Sequence, residues 1–263
     1  MTASNKTIGI DASRCRSGGA ISHIQGLFTS CSFHSFGILE VHLWAPDNLL
    51  DLIPAQHGLY KHSLGYYSTT ILHEMFWQYA ILPRLAKYYK LDLLFNADSS
   101  TLCSFTPCIT LNQDLLAFES SETKRYSLFS VKRLRLEVIA LIQYRAFRRS
   151  THVIFLSHYA QKLLKQKVSI KSSSVISHGF DPAFNSAPRI NVIDTNNPIN
   201  LLYISNIEPY KHHYNVVEAI HLSRLKTALD IRLTLIGPST HYPSVRRLNC
   251  YICLLYTSDA ADD

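Results

Sequence analysis

Asn200-Leu-Leu-Tyr-Ile-Ser-Asn-Ile-Glu-Pro-Tyr-Lys-His-His-Tyr-Asn-Val-Val-Glu-Ala219 reads as strand, loop and helix in that order. Leu201 to Ile204 is an apolar run of strand length, and a polar loop containing Pro209 follows it. Val216, Val217, Ile220 and Leu225 then recur on one face of a helix. In an open α/β sheet such a loop lies at the carboxyl end of its strand, where ligands bind. Lys211 stands where the helix should begin, and a lysine beside the N–H groups of a helix N-terminus suits a phosphate. The plain alternative is a solvated lysine at a helix end.

The same alternation runs outward in both directions. After the quoted stretch, the helix is expected over 214–229, with a strand over 232–236 that ends in Gly237-Pro238. Before it, 181–198 loses all periodicity and is rich in Asn, Pro and Ser, which marks a linker. Ahead of the linker, strands are expected at 7–11, 39–44, 92–96, 107–111, 152–156 and 174–177. Gly18 and Gly19 fall where the first strand turns into a helix expected over 20–30, so backbone N–H groups there can approach a ligand closely. Residues 70–90 carry a helical pattern whose stripe of Leu72, Phe76, Tyr79, Leu82 and Leu85 reads as core, with Pro83 kinking or splitting the helix. The strand at 107–111 runs straight into Asn112-Gln113-Asp114. A helical region is expected over 124–149, and Ser157 is an N-cap for a helix to 167. Strands alternating with helices predict parallel α/β sheets, and the linker predicts two of them.

The formal net charge of +7 points to an anionic partner or an anionic membrane surface. Lys124, Arg125, Lys132, Arg133, Arg135, Arg145, Arg148 and Arg149 concentrate it, with Glu137 the one acid among them. No nucleic-acid motif accompanies the charge, so no nucleic-acid partner is expected. The polar start lacks an apolar core segment and no run reaches membrane-span length, so the expected location is cytoplasmic, with peripheral contact at the inner face of the membrane. Cys250 and Cys253 have redox or zinc spacing, but no second pair completes a metal site.

Five blocks then resemble a family in its own order: Asp11 to Leu27, Leu111 to Glu119, Val153 to Ala160, Val175 to Asp181, and Leu202 to His212. They look like the blocks of family-4 retaining glycosyltransferases, and the likeness spans roughly residues 7–249. The resemblance implies the GT-B fold: a complete N-terminal Rossmann-like domain over 1–180, the linker 181–198, and a partial C-terminal Rossmann-like donor domain over 199–249. Residues 250–263 resemble a non-native, adaptor-derived tail, so the chain is expected to be an inactive fragment of an active parent.

The implied reaction moves a sugar from a nucleotide-sugar to a glycan or lipid-linked acceptor. No metal or other cofactor is expected, because fixed positive groups meet the charge of the leaving diphosphate. By resemblance the donor diphosphate contacts are Lys211, Gly18, Gly19 and Asn206. Gln113 and Asp114 match the family's strand-end His-Asp pair and are the catalytic candidates, with Asn112, Glu119 and His178 at the acceptor or transferred sugar. Three departures stand out. Ser205-Asn206 replaces the family's Gly-Arg, Gln113 replaces a titrating histidine, and the Glu-x7-Glu segment that holds the sugar is absent. Two other readings remain open at this point: a nucleotide-sugar epimerase relative, and a non-catalytic basic module for anionic lipid or nucleic acid.

Overall fold

The computed structural model describes residues 6–16, 18–179, 197–227, 229–239 and 241–259. The expected linker, apart from residues 197 and 198, lies outside the described residues, as do Ser17, Phe180, Asp181 and the last four residues. The chain divides into two compact units, one of residues 1–119 and 131–185, the other of 120–130 and 186–263. Residues 120–130 thus go with the second unit although the sequence places them within the first.

The first unit starts with β1 (Lys6–Asp11), α1 (Gly19–Ser30), β2 (Ile38–Ala45), α2 (Asp47–Leu50) and β3 (Leu59–Ser63). It continues with α3 (Ile71–Phe76), α4 (Leu82–Tyr88), β4 (Leu93–Asn96) and β5 (Cys108–Asn112). After the short α5 (Ser120–Thr123) of the other unit come α6 (Val131–Arg149), β6 (His152–Phe155), α7 (His158–Lys167) and β7 (Ser173–Val175). The seven strands pair in parallel in the order β3-β2-β1-β4-β5-β6-β7. Strand order reverses between β1 and β4, which makes their carboxyl ends the switch point of an open sheet.

Alternation across the pleat feeds two cores. Val41, Leu43 and Ala45 of β2 join Ile10, Ile24, Phe28 and Leu49 on one face. Trp44 points the other way, to Trp77, Leu82, Ala86 and Leu94. A third cluster, including Phe147, Val153, Phe155 and Leu164, lies under α6 and α7. Ser157 caps α7 as expected, accepting from Ala160 N at 3.2 Å.

Four sequence expectations change here. β3 was not expected; it is a half-exposed edge strand whose Tyr60-Lys61-His62 hides the apolar signal. The helix over 70–90 is interrupted, as Pro83 suggests, but the break is a π-helical turn at Trp77–Ile81 between α3 and α4, ahead of Pro83 in the first turn of α4. The stripe read as core is largely outside: Leu72 is 76% exposed, Phe76 57% and Tyr79 69%. The buried residue of α3 is Glu74, and the π turn buries Trp77 and Gln78. A polar inward face followed by an extra residue in the helix rotates the apolar pattern away from the true core. Lastly, the basic helix begins at Val131 rather than Lys124, and Leu134, Val138 and Leu141 face outward while Ile142 and Phe147 pack inward.

The second unit contains β8 (Ile199–Ile204), α8 (His213–Thr227), β9 (Ile231–Ile236) and α9 (Tyr242–Asp259). β8 and β9 pair in parallel around the α8 crossover. Gly237 ends β9 where its backbone presses on β8: a Cβ there would lie 1.9 Å from Ser205 O. α9 was not expected and runs unbroken through position 250. None of the six cysteines forms a disulfide. Among the described residues no helix is long and apolar enough to cross a membrane.

Candidate functional site

The carboxyl edge of the first sheet is tied together by backbone. Ala97 N, after β4, donates to Asp11 O at the end of β1 at 3.0 Å. Gln113 Nε2, after β5, donates to Ala97 O at 3.2 Å. Three strand ends are thereby held side by side, Ala97 N joining β4 to β1 and Gln113 joining β5 to β4.

Beneath the glycine loop lies a polar layer. Asp11 accepts from Ser13 N and from Gln78 Nε2, each at 3.1 Å, and Gln78 Nε2 also reaches Ser13 Oγ at 3.0 Å. Burial raises the pKa of the Asp11 carboxyl. Glu74 takes Arg14 Nε at 2.7 Å and also pairs with Arg16, so one buried carboxylate serves two arginines. Glu74 and Gln78 lie four residues apart along the broken helix and supply this layer together. Burial pushes the Cys15 thiol up to about 12, which leaves it unreactive at neutral pH.

Gly18 has φ 59°, a left-handed conformation open to glycine, and caps α1 where no side chain does so. Both Gly18 and Gly19 are exposed, with nothing within 4 Å of an added Cβ. His178 lies against α1, its ring centre 4.7 Å from that of His23. Burial, and then His178, lower the pKa of His23.

The remaining candidates serve the loops. Asn112 is buried and donates to Asp114 O at 2.9 Å. Asp114 is exposed, and its Oδ1 accepts from Leu116 N at 2.8 Å, so it caps the turn Leu116–Phe118. Glu119 accepts a hydrogen bond from Tyr159 OH. The structure thus groups Gln113 with the ends of β1 and β4, sets His178 beside α1, and gives Asp114 and Glu119 local partners. Sequence reading missed Glu74 and Gln78; the available signal was a polar pair inside an otherwise apolar helical pattern.

In the second unit Lys211 closes a turn, Pro209–Lys211, between β8 and α8. The helix starts two residues later than the lysine, at His213. Lys211 N donates to Glu208 O at 3.0 Å, and Lys211 O accepts from Tyr203 OH at 2.6 Å. Lys211 Nζ lies 5.0 Å from the centre of the Tyr210 ring. His213 is buried at the helix start, and burial lowers its pKa. Asn206 sits in the loop ahead of the turn, where Ile207 N bonds Pro238 O at 3.1 Å and joins the ends of β8 and β9.

Among solved structures the chain is similar to the lipopolysaccharide outer core galactosyltransferase WaaB in its apo form, with a TM-score of 0.55, 10% identity and 95% of this chain covered. The fold is α/β, of the GT-B glycosyltransferase type. Sucrose-phosphate synthase from Thermosynechococcus elongatus matches at a TM-score of 0.50, with 12% identity over 89% of this chain. The chain spans 65% of the galactosyltransferase and 71% of the synthase. No family model and no curated protein matches the sequence. At these identities the likeness establishes the GT-B fold and leaves donor, acceptor and stereochemistry to the residues of this chain.

A cavity of about 470 Å³ opens at the opposite, amino edge of the first sheet, between Phe28, Phe33, Ile38 and Leu59. None of the first unit's candidate residues lines it.

Proposed function

We propose that this chain is part of a retaining glycosyltransferase of the family-4 type, whose full-length parent moves a sugar from a nucleotide-sugar to a polysaccharide or lipid-linked acceptor. The observation that carries the reading is the placement of Lys211 at the carboxyl end of β8 against the start of α8, in a chain with the GT-B fold. Lysine and helix amides there would meet the two charges of a diphosphate without a metal. In the transfer, the bond from the anomeric carbon to the diphosphate oxygen breaks, and the acceptor oxygen bonds to the same face of that carbon. The acceptor's proton leaves with the diphosphate, and Lys211 stabilises the charge developing on it.

Gln113 cannot titrate, so its part in this reading is to orient the transferred sugar from the junction of β4 and β5. Gly18 and Gly19 line the side where backbone can approach phosphate or acceptor. A lipid-linked acceptor fits a peripheral position on the cytoplasmic face of an anionic membrane. The outward face of α6 supports it, with Val131, Leu134, Val138 and Leu141 exposed beside Arg135, Arg145 and Arg148.

The chain by itself is expected to be inactive, so the test is release of nucleoside diphosphate by the full-length parent protein from a panel of nucleotide-sugars in the presence of lipid-linked and glycan acceptors. Turnover that Lys211→Ala abolishes is the expected result. Steeply salt-dependent binding to nucleic acid or anionic vesicles, with no response to any nucleotide-sugar, would instead favour a basic binding module.

A further inference from the structure

Both sides of the Lys211 turn are held by one distant segment, residues 120–130. Glu208 opens the turn in extended conformation and is 8% exposed. Its carboxylate accepts from Tyr126 OH at 3.2 Å, across 82 residues of sequence. Burial and the neighbouring Glu208 raise the pKa of the Tyr126 phenol, so it stays a proton donor throughout the neutral range. On the far side His212 has φ 55°, a left-handed conformation that only a few per cent of non-glycine residues adopt, histidine more readily than most. Glu122 Oε2 lies 3.3 Å from His212 Nε2 and 2.8 Å from Arg125 Nε, distances of an ion-pair cluster.

These contacts have an electrostatic result. Two carboxylates, Glu208 and Glu122, stand next to the turn, and both are engaged away from the lysine. Among the described residues the Lys211 ammonium makes no ion pair of its own. Its backbone is fixed at the same time, by Glu208 O and by Tyr203 OH. A cation with no ion-pair partner to give up, on a fixed backbone, is suited to stabilise charge that develops during a reaction, because little must reorganise first. Residues flanking such a group in sparsely populated conformations persist only where the surroundings hold them.

We propose that residues 120–130 are a clamp that positions Lys211 for a diphosphate, with Tyr126 and Glu122 as its two positioning residues. The proposal rests on the reading of Lys211 as the diphosphate lysine. The segment lies between β5 and α6 in sequence, so the chain that carries Gln113 and Asp114 goes on to brace the turn that carries the lysine.

The test compares Tyr126→Phe, Glu122→Gln and Lys211→Ala with the wild type by two readouts. One is amide hydrogen exchange over residues 208–212, with β1 as the internal reference. The other is affinity for inorganic pyrophosphate at low ionic strength, by phosphorus NMR titration. Tyr126→Phe is expected to speed exchange in the turn and weaken pyrophosphate by about fivefold, the worth of one buried hydrogen bond. Glu122→Gln should act in the same direction by about twofold, since it removes the partly exposed carboxylate that Arg125 and His212 both approach. Exchange in β1 should not move, and a general loss of stability would move it. The clamp is overturned if exchange over 208–212 is unchanged in Tyr126→Phe, or if it rises while pyrophosphate binds as in wild type. Lys211→Ala checks the underlying reading separately and should remove pyrophosphate binding. If binding survives that substitution, the diphosphate reading falls, and the positioning role falls with it.

Discussion

The loop after β1 and the turn after β8 occupy equivalent places at the carboxyl edges of their two sheets, yet they are secured differently. The β1 loop rests on side chains from its own layer: Glu74 and Gln78 reach it from the broken helix, and Ala97 and Gln113 bind the neighbouring strand ends to it. The β8 turn belongs to a two-stranded sheet with little layer of its own, since Leu202, Ile204 and Ile236 are exposed. Its support comes from residues 120–130, far away in sequence. A wide sheet flanked by helices can bury a polar layer beneath its loops; two strands and two helices cannot, and a borrowed segment takes that place.

Substitutions can break this contrast, because the two tryptophans, Trp44 and Trp77, are both in the first unit. Tryptophan fluorescence therefore follows the first unit, while far-ultraviolet circular dichroism follows both. Glu74→Ala has the largest expected effect. It strands two arginines, one of them 18% exposed, and should lower the stability seen by fluorescence by about 2–3 kcal/mol. Gly237→Ala forces a Cβ onto Ser205 O and should cost the second unit about 2 kcal/mol, visible by circular dichroism while the fluorescence midpoint stays put. A coincident shift of both signals would mean that the two units do not unfold separately.

Asp114→Ala should remove a turn cap worth about 1 kcal/mol, and Asp114→Asn should restore it. If nucleotide-sugar turnover by the full-length parent follows the same order, Asp114 is a cap alone; if the Asn variant folds and fails to turn over, its charge takes part in the reaction. The smallest effect belongs to Asp92, whose pKa is lowered by Thr7 N–H at 2.9 Å and by Lys6 at 3.1 Å. A lowered carboxylate contributes stability that is present above its unfolded value, about pH 3.9, and lost as pH falls through the folded value. The gap between wild type and Asp92→Asn, a few tenths of a kcal/mol by fluorescence at neutral pH, should therefore close in acid.

Much of the fold was legible in the sequence because burial on both faces writes a strand as a short apolar run. β1, β2, β4, β5 and β6 all announce themselves this way; β8 is also a short apolar run, although Leu201, Leu202 and Ile204 are exposed. β3 did not, since an edge strand carries Lys61 and His62 at no cost. The helix over 70–90 misled because its inward residue, Glu74, is charged, and charge reads as surface unless its partners are known. The candidate site was legible by position, at strand ends and helix starts. Which side chains join and which merely cap was not. Gln113 and Asp114 are neighbours in sequence, yet one ties two strands together and the other closes a local turn.

By itself the sequence determined the alternation of strands and helices, the parallel α/β class, and the lysine between β8 and α8, all of which depend on patterns a few residues long. The tertiary structure alone decided that Glu74 serves Arg14 and Arg16, that Asp11, Ser13 and Gln78 share a buried layer, and that residues 120–130 brace the turn of Lys211. Those pairings join residues tens of positions apart, and their stability depends on desolvation and geometry that exist only once the sheets have formed.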